Sequence, residues 1–157
     1  MNALSDSFVA DLFHEPDLHK LAQISALACG SPAFDEDATD FALPARLFVF
    51  VAALGWLPQA LRSGSVAWFE STPVARQRLL QERLALDAMP GLADRYATSM
   101  ARWSDAAAMQ DVDRWLDEHE REIDHWLARL ALAARADFVA ALRVGASDGT
   151  PAGARQS

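Results

Sequence analysis

The stretch Phe41-Ala-Leu-Pro-Ala-Arg-Leu-Phe-Val-Phe-Val-Ala-Ala-Leu-Gly-Trp-Leu57 decides the fold of this chain. Arg46 is its single charged residue, and apolar residues occupy every side when the stretch is drawn as a helix. A helix that is hydrophobic all round must be surrounded by other helices. The sequence therefore predicts an all-α, single-domain helical bundle around a buried central helix at about 41–57.

The same stretch is too short and too interrupted to span a membrane. A transmembrane helix needs ~20 apolar residues, whereas this one contains Pro44, Arg46 and Gly55 and is followed by Pro58. Gly55 and Pro58 also predict that the helix bends or ends near Leu57. The first residues lack the basic region of a signal peptide, so we expect a cytoplasmic protein that makes no membrane contact.

A second long element follows from the absence of glycine and proline between Ala106 and Val144. It predicts a C-terminal helix at about 105–143, capped by Asp105. If continuous, it would measure ~58 Å, but a domain of this size is only ~40 Å across. The helix is therefore expected to bend near 131–137 or to project from the body. A projecting helix would form a homo-oligomer or bind a partner along Leu130, Ala134, Phe138 and Leu142.

The end of the chain, 145–157, is small and polar, which predicts a disordered tail beyond a domain at 1–144. Cys29 is the single cysteine, so no disulfide can form within one chain. It follows alanines and leucine at an expected helix end, a position typical of a small packed residue and not of a nucleophile.

Charge separates along the chain, whose net charge is −8. Residues 1–45 hold eight acids against one lysine, residues 46–103 hold seven arginines against four acids, and residues 104–126 hold eight acids against two arginines. The negative charge excludes nucleic acid and anionic membranes as partners. Two interpretations remain: the acidic segments neutralise the basic middle within the fold, or an acidic face steers a basic partner protein.

The face at 111–126 is the candidate partner-binding surface, because it combines carboxylates with an aromatic residue. Trp115 lies among charged neighbours beside the apolar seam, so it is expected to be an exposed anchor of the kind that interfaces favour. The candidate partner-binding residues are Asp113, Trp115, Asp117, Glu118 and Glu122.

An alternative interpretation places a metal in the bundle. Asp11 precedes His14, and Glu122 precedes His125, by three residues, as in di-iron bundles. The alternative metal site comprises His14, His119, Glu122 and His125, although two further carboxylates would be needed. The leading expectation is no metal, no cofactor and no catalytic residue, because the sequence contains neither a nucleophile elbow nor a phosphate-binding glycine loop.

A family resemblance covers roughly 37–104. The matching residues are Asp37-Ala38, Phe41-Ala-Leu-Pro44-x-Arg46, Trp68, Pro73-x-x-Arg76, Gly91-Leu-Ala93 and Trp103-Ser104. In these residues the chain resembles a family of small bacterial proteins of unknown function associated with secretion-system loci. The resemblance implies an accessory or adaptor protein and supplies no catalytic residues.

These observations together favour a non-enzymatic protein–protein interaction module, accessory, adaptor or chaperone-like, of a bacterial secretion system. Two alternatives come from other classes: a metal-dependent enzyme that uses the histidine and glutamate site, and an acidic immunity or inhibitor protein that mimics an anionic ligand.

Overall fold

The computed structural model describes residues 6–14, 18–29 and 43–147, and within these ranges it is all-α. The elements are α1 (Asp6–Leu12), α2 (Leu18–Cys29), α3 (Ala45–Ser63), α4 (Val66–Ser71), α5 (Val74–Asp87), α6 (Leu92–Arg102), α7 (Ala106–Glu118) and α8 (Glu120–Ser147).

Helix α3 is the buried central helix that the sequence predicts. Every residue from Leu47 to Leu54 is buried, as are Trp56 and Leu57. Helices α2, α4, α5, α7 and α8 all pack against it, α8 most extensively. The first two residues of the predicted helix, Phe41 and Ala42, lie outside the described ranges.

The sequence predicts that α3 bends or ends near Leu57; the helix does not end there but continues to Ser63, and the bend stays a prediction. Proline inside a helix costs about 3 kcal/mol, and the burial of Trp56, Leu57 and Ala60 around Pro58 offsets this cost. Gly64, with φ of 89°, ends the helix instead.

The predicted long C-terminal helix is confirmed as α8, but the predicted range of about 105–143 contains two helices, because the chain breaks at His119 between α7 and α8. His119 has φ −113° and ψ 17°, outside helical geometry. Its Nδ1 lies 2.8 Å from the carbonyl oxygen of Trp115, which also accepts the backbone N–H of His119. The break lies before the predicted bend at 131–137 and leaves 28 residues in α8, a length of ~42 Å.

Helix α8 does not present the predicted association face to solvent. Leu130, Ala134 and Phe138 are buried in the core, where the Phe138 ring meets those of Phe13 and Phe50 at centroid distances of 5.6 and 6.4 Å. The face proposed for self-association is therefore interior along these three residues, and nothing is described for the side chain of Leu142.

Helix α8 ends later than the predicted residue 143. Helix α8 extends to Ser147, so residues 145–147 are helical, and the rest of the predicted tail, 148–157, lies outside the described residues. None of the described helices is both long enough and apolar enough to cross a bilayer.

A polar cluster joins α4, α5 and α6 inside the core. The hydroxyl of Tyr96 accepts a hydrogen bond from Trp68 Nε1 at 3.3 Å and donates one to the carbonyl of Gln77 at 3.1 Å. The Gln77 side chain donates in turn to the carbonyls of Phe69 and Thr72. These bonds satisfy polar groups that would be costly to bury alone.

Candidate interaction face and adjacent cleft

Three exposed carboxylates lie at the junction of α7 and α8. Asp117 and Glu118 form the last turn of α7, and Glu122 lies in the first turn of α8. We call these three residues the acidic corner. Among the described residues, no arginine, lysine or histidine lies within ion-pair distance of them, whereas nearby Asp111 pairs with Arg114 at 3.3 Å.

Two members of the acidic corner occupy an unfavourable position for stability. The C-terminus of a helix carries a partial negative charge, so an acid in the last turn costs about 0.3–1 kcal/mol. Asp117 and Glu118 are both in that turn of α7, which contains no basic residue. Their charges therefore do not contribute to the stability of the helix that carries them.

Trp115 is half-buried and packed within the molecule, so the prediction of an exposed anchor is wrong. Its ring stacks on that of His119 at a centroid distance of 4.1 Å and an interplanar angle of 17°. The guanidinium of Arg95 lies 5.4 Å from the ring centroid. Trp115 also contacts Gly91, where an added Cβ would lie 2.7 Å from Trp115 Cζ2. The ring therefore fixes the α7–α8 junction against the start of α6.

Asp113 also has a structural role. Its Oδ1 accepts hydrogen bonds from the backbone N–H of Ser65, at 3.1 Å, and from the Ser65 hydroxyl, at 2.9 Å. Ser65 is buried, so these bonds attach α7 to the turn between α3 and α4. Of the five predicted partner-binding residues, the three of the acidic corner remain free to meet a partner.

The four residues of the alternative metal site do not come together. His14 and His125 are exposed, His119 stacks on Trp115, and Glu122 belongs to the acidic corner. Across residues 6–14, 18–29 and 43–147, no group of three or more His, Cys, Asp or Glu side chains is arranged to hold a metal ion. This four-residue site is therefore wrong.

A cleft of about 880 Å³ opens between α2, α3 and α8, beside the acidic corner. Its apolar lining includes Leu21 of α2, Leu54 and Leu57 of α3, and Leu127 of α8. Its polar lining includes Glu120 and Asp124 of α8 and Arg62 of α3. We call this space the α3–α8 cleft.

The two carboxylates of the α3–α8 cleft are four residues apart and therefore lie on the same face of α8. Glu120 is exposed and Asp124 is half-buried. Burial raises the pKa of Asp124 above its ordinary value, the charge of Glu120 raises it further, and His125 opposes both. The folded protein therefore disfavours the ionised form of Asp124, which lowers the free energy of unfolding when the carboxylate is charged.

One residue of the cleft lining, Leu54, has a backbone acceptor without its usual helical donor. Pro58 has no N–H, so it cannot donate the helical hydrogen bond to the carbonyl of Leu54. Both residues line the cleft. The sequence does not predict this site, because Gly55 and Pro58 predict only a bend or an end of the helix. A proline inside an apolar helix, together with acids at i and i+4, was the available signal.

Comparison of the chain with family models, characterised proteins and solved structures finds no match. The family resemblance at 37–104 therefore stays a prediction, and the candidate sites depend on their own geometry and charge.

Proposed function

We propose that this protein is a non-enzymatic interaction module that binds a basic surface of another protein through its acidic corner. The observation that carries the proposal is the placement of Asp117 and Glu118. They are exposed, have no ion-pair partner in the described part of the chain, and lie where the helix dipole opposes them. Charges that lower the stability of their own helix point to a role outside the fold.

The rigidity of the junction supports the same function. The contacts of Trp115 with Gly91 and Arg95 attach α7 to α6, and the Asp113–Ser65 hydrogen bonds attach it to the α3–α4 turn. A preorganised surface loses less entropy on binding than a flexible one. Complementary charge then speeds the encounter with a basic partner more than it strengthens the final complex.

The family resemblance gives this proposal a cellular context. It supports a bacterial cytoplasmic accessory or adaptor protein of a secretion system, whose partner is a component or effector of that system. Complementary charge would serve any partner with a basic surface. Only the family resemblance connects that partner with a secretion system.

Charge reversal tests the proposal. The triple variant Asp117→Lys, Glu118→Lys, Glu122→Lys should lose most of its capture of the partner from a lysate of the source organism, quantified by mass spectrometry. Capture by the unmodified protein should also weaken between 0.1 and 1 M salt, because the screening length falls from about 10 Å to about 3 Å.

A matched control changes the same amount of charge elsewhere. Glu70, Glu82 and Asp87 are exposed on α4 and α5, so the variant Glu70→Lys, Glu82→Lys, Asp87→Lys should retain capture. Undiminished capture by the corner variant, or equal loss by both variants, would contradict the proposal. Circular dichroism of both variants checks that the bundle is intact.

A further inference from the structure

The α3–α8 cleft combines an apolar interior with negative charge and is distinct from the acidic corner. Leu54, Leu57 and Leu127 are buried side chains whose edges line it, and Glu120 and Asp124 supply its carboxylates. The packing of the core does not require a proline and two acids in this cleft, and none of the three belongs to the acidic corner.

We propose that the α3–α8 cleft binds a small organic cation, an ammonium group carried on an apolar body. The apolar body would lie along the leucine lining, and the ammonium would lie between the carboxylates of Glu120 and Asp124 and the carbonyl of Leu54.

The size of the cleft favours a small molecule over a single inserted side chain. Ligand pockets measure ~300–1,000 Å³ and combine a mainly apolar lining with a few polar groups that fix orientation. The cleft, at about 880 Å³, lies in this range and has such a lining. One lysine side chain would occupy only a minor part of it.

The charges favour a cation. Like charges four residues apart on a helix repel each other, and partial burial disfavours the ionised carboxylate of Asp124. A bound ammonium would relieve both costs. An ammonium also has three N–H donors, and the cleft lining contains two carboxylates and Leu54, whose carbonyl cannot accept the helical hydrogen bond from Pro58.

Arg62 is the opposing charge in the cleft lining. Its residue is exposed at the end of α3, where solvent and salt screen the guanidinium. Two carboxylates against one arginine leave a net charge of −1 on the charged lining residues. His125, which also acts on Asp124, is exposed and does not belong to the cleft lining.

The test compares three probes with one apolar tail: n-octylammonium, n-octanol and octanoate. Each is titrated into the full chain at pH 7.5, below its micelle concentration, and followed by ¹H–¹⁵N NMR. We expect n-octylammonium to bind most tightly, with shifts concentrated around Leu21 and at residues 54–63 and 120–127. Equal affinities for the three probes, or shifts outside those segments, would overturn the proposal.

Neutral variants identify the groups that bind the charge. Glu120→Gln and Asp124→Asn should each weaken binding of n-octylammonium about tenfold, because each removes a charge-assisted hydrogen bond, whereas Glu122→Gln, on the same helix outside the cleft, should bind normally. Unchanged affinity in both cleft variants would refute the assignment. Glu120 is exposed, so its variant keeps the test valid even if Asp124→Asn perturbs the fold.

A fourth probe separates a free amine from a protein side chain. Nα-acetyl-lysine amide carries the same ammonium on a shorter apolar stem and should bind at least tenfold more weakly than n-octylammonium. Equal binding would assign the cleft to a lysine of a protein partner and overturn the small-molecule proposal. The neutral corner variant Asp117→Asn, Glu118→Gln, Glu122→Gln adds no positive charge beside the cleft, so it should bind n-octylammonium nearly normally while it captures less partner, and failure of one experiment is distinguishable from failure of the other.

Discussion

Tyr96 is the single tyrosine of the chain, and its hydroxyl connects three helices. It lies on α6, accepts from Trp68 of α4 and donates to the carbonyl of Gln77 on α5. Its ring also packs edge-on against Trp56 of α3 at a centroid distance of 4.8 Å. Its partners come from distant segments of the chain that no local sequence pattern relates.

Alkaline titration should show this burial directly. Burial raises the pKa of Tyr96 far above its ordinary 10.0, although the bond from Trp68 and the charge of Arg76 oppose the shift. The folded state therefore holds the proton more tightly than the unfolded state, and stability that is complete below pH 10 falls as the pH rises further.

Absorbance at 295 nm, measured with far-ultraviolet circular dichroism, checks this prediction. Tyrosinate should appear only as helicity is lost, while the chain in guanidinium should titrate near pH 10. Ionisation near pH 10 with native helicity would contradict the burial of the hydroxyl.

Gly91 shows how one missing Cβ positions a large side chain. Its φ of 85° is unfavourable for other residues, and Trp115 occupies the space that a Cβ would take. Gly64 has a similar φ of 89°, but there the nearest atom to an added Cβ is Asp113 Oδ2, at 3.1 Å.

Alanine at these two glycines should therefore have unequal effects. Gly64→Ala should lower the free energy of unfolding by about 1–2 kcal/mol through backbone strain. Gly91→Ala should lower it by a further 1–3 kcal/mol or so, because it also displaces Trp115. Urea denaturation measures both, and equal losses would show that the contact with Trp115 contributes nothing.

At the scale of the element, helix α7 shows which boundaries a sequence reveals. Its start was predicted, because Asp105 is a local capping signal, and the Asp105 side chain does accept the N–H of Ala108. Its end was not, because His119 is neither glycine nor proline. At the break, the His119 ring stacks on the Trp115 ring, and His119 Nδ1 lies 2.8 Å from the carbonyl oxygen of Trp115. The spacing of apolar residues does not reveal this contact.

Removing the cap should lower stability in a pH-dependent way. The N–H of Ala108, followed by Arg102, lowers the pKa of Asp105 below its ordinary 3.8. The stabilisation is therefore complete above pH 3.8 and is lost as the pH falls through the lower, folded value.

Asp105→Ala should accordingly melt roughly 2–4 °C lower than the unmodified protein at pH 7. The difference should shrink towards pH 2, as measured by calorimetry. The melting temperature of Asp105→Asn, whose side chain can cap the helix but carries no charge, should lie between those of Asp105→Ala and the unmodified protein. A difference that persists unchanged at pH 2 would argue against the carboxylate as the cap.

At the scale of the whole molecule, the sequence predicted the architecture and only part of the candidate sites. An apolar, nearly uncharged segment must be buried wherever it lies, so α3 was predictable. The acidic corner was predictable because exposed charge is local in sequence. The α3–α8 cleft was not, since it requires Pro58 and Asp124 to approach from distant parts of the chain.

The packing of α8 across the bundle should dominate global stability. Phe138 is fully buried and contacts Phe13 beyond α1 and Phe50 of α3. Phe138→Ala should lower the free energy of unfolding by about 3–5 kcal/mol. On the same helix, Leu132 is 50% exposed, so Leu132→Ala should change it by less than about 0.5 kcal/mol. Denaturant titration decides, and similar losses would mean that α8 is not packed as described.

The close fit of Trp115 over Gly91 has a consequence for the evolution of this chain. A bulkier residue at 91 is compatible only with a smaller ring at 115, so the two positions should change together among descendants of a common ancestor. Homologues that keep the tryptophan should keep the glycine, and those that lose one should lose the other. Paired changes at positions 91 and 115 could then identify distant homologues whose overall sequence identity is low.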